Sequence, residues 1–302
     1  MEYRNSDALK AFLKKESNKL GISPTNTYNT YFLRQLLQRI SEFSDREIII
    51  KGSLASIVHT GKIFRPLTDL DLTSRNTHNN PLLTLYRALY NSDDNSIRYE
   101  LQSLPKQTQT GIFKIRLSAM YGKIKHPLSI DFRENHPAIY EVNKKQVPRI
   151  FENDKDFTVN VPSYEETLAE KLCIIVESNK SNVLNTRVKD FYDIYKLHCG
   201  EYDFEKFSYF FEKMLKDRGK IRISDATTEN LNSQFVRNHQ QLWDNAKVKY
   251  EFIDDEIEFA GAVYYTRSVL SEQLQKIRSG KNNNITLVYK PRNYPSVFND
   301  NK

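Results

Sequence analysis

The hydrophobic period changes twice along this chain, and that change limits what it can fold into. Through about residue 90 the apolar positions recur every three to four residues: Leu9, Phe12, Leu13 and Leu20 in one stretch, Tyr28, Phe32, Leu36 and Ile40 in the next. Such spacing lays one apolar stripe along a helix. From Ile97 the period drops to two. Ile97-Arg98-Tyr99-Glu100-Leu101, Ile112 to Leu117 and Leu128 to Phe132 alternate apolar and polar residues between polar turns, which reads as strands of one sheet. After Pro148 helical spacing returns and persists. An α/β (α+β) chain follows: a domain with a mixed sheet over residues 1–158, then a mainly helical domain over 159–302.

Local signals set the expected boundaries. Ser6-Asp7 caps the first helix and Gly21 ends it; the second helix runs from about Thr27 to Phe43. Glu47 to Lys51 reads as a strand, Leu54 to His59 as a short helix starting on a Gly-Ser turn, Asp69 to Thr73 as the next strand, and Pro81 opens a helix through Tyr90. Further on, Ser163-Tyr164-Glu165-Glu166 is a capping box ahead of a buried stripe of Leu168, Ala169, Leu172, Cys173 and Val176. A polar stretch from Ser178 to Asn185 leads to a helix from Thr186 to His198, stopped by Gly200.

With 302 residues the chain can build two modest domains or one large one with real cores. Cys173 and Cys199 lie far apart, without CxxC spacing or companion histidines, which argues against structural zinc. No apolar run approaches membrane-spanning length and no leader-like segment opens the chain, so a cytoplasmic, soluble protein is expected. The formal net charge of +7 favours a polyanionic partner without naming it.

Chemistry concentrates between Ile48 and Asp71. A Gly-Ser turn, Lys51-Gly52-Ser53, follows the apolar run Ile48-Ile49-Ile50, and a glycine there lets backbone N–H groups approach a phosphate closely. Ser53 adds a hydroxyl donor. In Asp69-Leu70-Asp71 the strand period puts both carboxylates on one face and buries Leu70 on the other. Two acids so placed repel each other unless a divalent cation lies between them. Mg²⁺ binds through one or two carboxylates plus substrate phosphates, so a phosphate turn beside an acid pair suggests nucleotidyl transfer. Asp131, on a neighbouring strand, would point with Ser129 and Arg133 toward one face, either as a third acid of that group or as a solvated strand residue.

Taken one at a time these features are common; their order is not. Gly52-Ser53, Asp69-x-Asp71 and Asp131 resemble the nucleotidyltransferases of the DNA polymerase β superfamily. Within it the chain is similar to the AbiEii/AbiGii toxin family of abortive phage-infection and toxin–antitoxin systems, relatives of the mycobacterial MenT toxins. Val161 to Leu172 resembles that family's "sxeelxAEKL" helix and Arg187 to Tyr195 its "RxxDxyDly" helix. The chain departs from the family where Leu67 stands at a hydroxyl position before the acids, and no role is assigned to Thr68.

The resemblance implies a toxin that moves NMP from an NTP onto an RNA acceptor, the tRNA 3′ end, with a co-encoded antitoxin as partner. In that scheme Asp69 and Asp71 bind Mg²⁺, and Gly52 and Ser53 hold phosphates with Lys51 or Arg65 assisting. Asp131 completes the metal site or takes a proton from the acceptor hydroxyl. Lys171 contacts a phosphate and Asp190 serves the reaction centre, both brought to the cleft by the helical domain, with Arg187 and Asp193 in support. Arg187 could equally be an ordinary i,i+3 partner of Asp190. An NTP-binding toxin without RNA transfer, or one that nucleotidylates a protein, is the alternative. Replacing Asp69 or Lys171 by Ala is expected to abolish growth arrest and leave the fold intact. Phe204, Phe207, Phe210, Phe211 and Leu215 sit at helical spacing and are expected in a core, with Lys206 to Arg222 a candidate RNA-facing surface.

Overall fold

The computed structural model describes residues 3–43, 48–74, 81–90, 97–134, 141–180, 187–197, 201–219, 221–251 and 257–279. The chain divides into two compact units. One comprises Met1–Ser163 with Lys247–Ile253, the other Tyr164–Ala246 with Asp254–Lys302. The expected Gly200 stop, Cys199 and residues 280–302 lie outside the described residues. No described helix is long and apolar enough to cross a membrane.

The first unit begins with helices α1 (Ser6–Leu20) and α2 (Pro24–Phe43). The N-cap of α1 is Asn5 rather than Ser6-Asp7: its Oδ1 accepts from the N–H groups of Asp7 and Ala8 at 3.1 and 2.9 Å. Gly21 closes α1 in the left-handed conformation, as expected. Six further elements follow as strand β1 (Ile48–Ile50), α3 (Gly52–Thr60), β2 (Leu70–Ser74), α4 (Pro81–Tyr90), β3 (Arg98–Leu101) and β4 (Lys106–Gln107). The long hairpin of β5 (Ile112–Tyr121) and β6 (Ile124–Arg133), then β7 (Val142–Gln146) and β8 (Thr158–Pro162), complete the unit's sheet.

These strands form one mixed sheet in the order β3-β5-β6-β2-β1-β8-β7, with β4 also on the edge of β5. Strand β2 runs parallel to β6 and β1 parallel to β8; the other neighbours are antiparallel. One face is apolar in every rung of its centre. Leu70, Ile130 and Ile115 share a rung and are fully buried, and each such side chain contributes about 1.5–3 kcal/mol of burial. Helix α2 covers this face: Phe32 stacks on His126, and the Tyr99 hydroxyl donates to the Phe32 carbonyl at 2.9 Å. A buried Arg34–Asp154 ion pair at 2.8 Å pins the loop before β8 to α2, and Asp154 also accepts the N–H groups of Ile150 and Phe151.

The second unit contains α5 (Tyr164–Lys180), α6 (Val188–Leu197), α7 (Phe204–Met214), α8 (Ser233–Tyr250, its last turn counted with the first unit) and α9 (Phe259–Ser279). Phe207, Phe210, Phe211 and Leu215 are buried, as their spacing predicts, whereas Phe204, also expected in the core, is half-buried. Phe191, Phe235, Trp243 and Phe259 form a second ring cluster, with Trp243 stacked on Phe259 at 5.0 Å.

Candidate active site

At the end of β1 the Lys51 N–H donates to the Asp71 carbonyl at 2.8 Å, which adds one rung to the β1–β2 ladder. The chain then turns at Gly52, φ +63°, directly into α3. A Cβ at residue 52 would lie 1.8 Å from Asp71 Oδ2. Glycine is therefore needed twice, once for the left-handed backbone and once because the Asp71 carboxylate fills the space any side chain would take. No side chain of Lys51 caps α3. The positive end of that helix, with its first-turn N–H groups and the buried Ser53, lies against a carboxylate.

Strand pairing adds Asp131. Parallel β2 and β6 place Asp71 and Asp131 in register, and antiparallel β5 places Lys114 opposite Asp131. Residues directly opposite in a ladder share a face, so this rung carries two half-buried acids and an exposed lysine. Burial raises the Asp131 carboxyl above its ordinary value, Lys114 opposes that shift, and Asp69 adds to it. Asp69, just before β2, is thus within electrostatic reach of Asp131. Thr68 Oγ1 donates to Asp69 Oδ1 at 3.2 Å, so the hydroxyl given no role from sequence holds one of the acids. Leu67, at the position where a hydroxyl was expected, is fully buried core. Arg65 is also buried, its guanidinium 5.8 Å from the centre of the Tyr250 ring.

In the second unit, α5 and α6 assemble the other expected residues. Lys171 Nζ donates to Asp190 Oδ1 at 2.8 Å and to Asp193 Oδ2 at 2.7 Å, all three side chains being buried. Arg187, half exposed, donates from Nε to Asp190 Oδ2 at 2.5 Å. Each carboxylate is bonded to at least one cation, which is how buried charge is tolerated. Burial pushes the Asp190 carboxyl up, but Lys171 and Arg187 together outweigh it and hold the group below its ordinary value.

Could this chain hold a divalent cation? Among the described residues no three Asp, Glu, His or Cys side chains are gathered as a closed ligand set. A hard ion that keeps its waters and takes phosphate oxygens needs only one or two carboxylates, and oxygen donors are what Asp69, Asp71 and Asp131 offer. The residues fit such an ion in donor type and in placement beside an anion-tolerant helix end. Lys114 was missed from sequence; nothing before the strand pairing is known marks it as the neighbour of Asp131.

A family model described as nucleotidyl transferase AbiEii toxin, Type IV TA system, matches residues 35–263 of the chain. Among solved structures the chain is similar to an H. pylori protein described as a candidate nucleotidyltransferase, with 14% identity and a TM-score of 0.52 over 84% of this chain and 98% of that one. JHP933 from Helicobacter pylori is similar at 15% identity and a TM-score of 0.50, over 82% and 92% of the two chains. These likenesses are of fold. No curated protein matches the sequence.

Proposed function

Because the chain belongs to the AbiEii nucleotidyl transferase toxin family, we propose that it transfers NMP from an NTP to an RNA acceptor, the tRNA 3′ end, and arrests growth by doing so. The observation that carries this reading is the Asp71 carboxylate packed over Gly52 at the start of α3, with Asp131 on the adjoining strand. First-turn N–H groups and the Ser53 hydroxyl would grip the terminal phosphates of the NTP, with Lys51 at the turn. Asp69 and Asp71 would hold Mg²⁺, which when bound neutralises phosphate charge. Asp131, its carboxyl raised above its ordinary value by burial, would accept the acceptor's hydroxyl proton. The acceptor oxygen bonds to the α-phosphorus, the α–β bridging bond breaks, and pyrophosphate leaves.

Lys171 and Asp190 enter the same proposal, as phosphate contact and reaction-centre carboxylate. Lys171 would meet a phosphate by exchanging one of its two carboxylate partners. In its setting this toxin acts in abortive phage infection, held in check by a co-encoded antitoxin.

Incubation of the purified protein with each α-labelled NTP, Mg²⁺ and total tRNA tests the reading. Label in RNA that vanishes in Asp71→Asn is the expected result. Label on protein indicates nucleotidylation of protein instead, and NTP retained without label in either indicates a binding toxin; both outcomes overturn RNA transfer.

A further inference from the structure

The face of the sheet that carries Asp71 and Asp131 continues outward as an open, basic surface. Its first rung reads Asp71, Asp131, Lys114, Lys106 across β2, β6, β5 and β4. The next pairs Ser129 with Arg116, and the outermost reads Lys125, Met120, Arg98. Arg98, Lys106, Lys114, Arg116 and Lys125 are all exposed, and between the first and outermost rungs Glu100, opposite Ser118, is the one acid among the described residues on strands β3–β5. Lys106 and Lys114 stand directly opposite each other, an arrangement that costs stability in a sheet unless an anion lies across it. From Lys114 to Met120 the strip extends about 20 Å at the usual rise of about 3.4 Å per residue.

Among the described residues of strands β3–β6, no aromatic side chain is in register with this part of the face. Tyr99, Phe113 and Tyr121 are in register with residues of the opposite, apolar face. A surface of cations without rings can follow phosphates but offers nothing on which bases stack. We propose that this β3–β6 face is the track on which the phosphodiester backbone of the RNA acceptor lies, leading its end to the acids at the inner rung. The inference rests on the RNA-transfer reading for its occupant and on charge complementarity for its place. It further requires that acceptor binding depend little on base sequence and strongly on salt.

The triple variant Arg98→Gln/Lys106→Gln/Arg116→Gln, all outside the proposed NTP site, tests it in the full-length protein. Fluorescence anisotropy with a short oligoribonucleotide should show at least tenfold weaker binding than the unaltered chain. The slope of log affinity against log salt should shallow by about 2, as three lost phosphate contacts on a single strand require. NTP binding should be unchanged. A matched triple in the second unit, Lys206→Gln/Lys216→Gln/Arg222→Gln, should leave RNA affinity as it was.

A second measurement needs no variant: acetylation of the unaltered protein, read by mass spectrometry, should show Lys106, Lys114 and Lys125 protected by RNA, and Lys206 and Lys216 not. Unchanged affinity in the first triple, or protection at Lys206 and Lys216 alone, overturns the assignment. So does binding of anionic phosphatidylserine vesicles tighter than RNA that the first triple abolishes. RNA-dependent protection of the sheet lysines without any nucleotide transfer would leave this surface standing and remove the transfer reading. Transfer without that protection does the reverse.

Discussion

Replacing Lys171 by Ala would remove the buried ammonium that bonds to both Asp190 and Asp193, two carboxylates with no exposed surface. Breaking a buried ion pair from one side costs about 3–5 kcal/mol. Urea denaturation of Lys171→Ala should therefore show a loss of that order, and the expectation that this variant keeps its fold gives way to the buried geometry. Asp69→Ala, at a half-buried position beside an open face, should stay close to the parent stability and is the better probe of chemistry. Gly52→Ala meets two obstacles, the left-handed backbone and the Asp71 oxygen 1.8 Å from its new Cβ. It should lose at least about 1–2 kcal/mol by thermal denaturation, with weakened NTP retention. The acids at 69, 71 and 131 were legible in sequence because a period of two assigns faces without knowledge of the fold. Lys114 was not, since only the pairing of β5 with β6 puts it opposite Asp131. Burial likewise separated the expected cations: Arg65 faces a tyrosine ring and Lys171 is engaged by two acids, facts that spacing alone does not carry.

Single elements carry their own test. His59, at the last turn of α3, places Nε2 3.0 Å from the Pro162 carbonyl at the end of β8. Burial lowers its imidazole to about 4, with Lys145 adding to the shift and the carbonyl opposing it. Unfolded histidine titrates near 6.5. Between those values the unfolded chain takes up a proton that the folded one refuses, so stability is full above about pH 6.5 and falls on acidification. The loss attributable to this residue at pH 5 is at most about 2 kcal/mol. Denaturant midpoints at pH 7 and pH 5 should diverge less in His59→Asn than in the parent.

The helices and the alternating strands were readable because each has a strong period. Strand β7, Val142-Asn143-Lys144-Lys145-Gln146, has none: it is an edge strand whose last three residues are exposed. The beginning of β6 was hidden by Pro127, tolerated because the β2 ladder starts only at Ile130 and leaves that stretch with β5 alone.

For the whole molecule, the first compact unit runs to Ser163 and takes in Lys247–Ile253, beyond the boundary expected at residue 158. The reason is β8, which lies between β1 and β7 in the sheet, and a distant return in which Glu251 accepts the Ser23 N–H at 2.7 Å. A fragment ending at residue 158 would leave β1 as an unpaired apolar edge. It should elute from size exclusion as aggregate, whereas the full chain should not. Neither the parallel pairing nor the return is written in any local period, because both join residues more than a hundred positions apart. On the ribosome, Ile48–Ile50 must therefore wait through the synthesis of over a hundred further residues before its second neighbour emerges. A translation product released early thus carries the acid-bearing strands without the partners that complete their sheet.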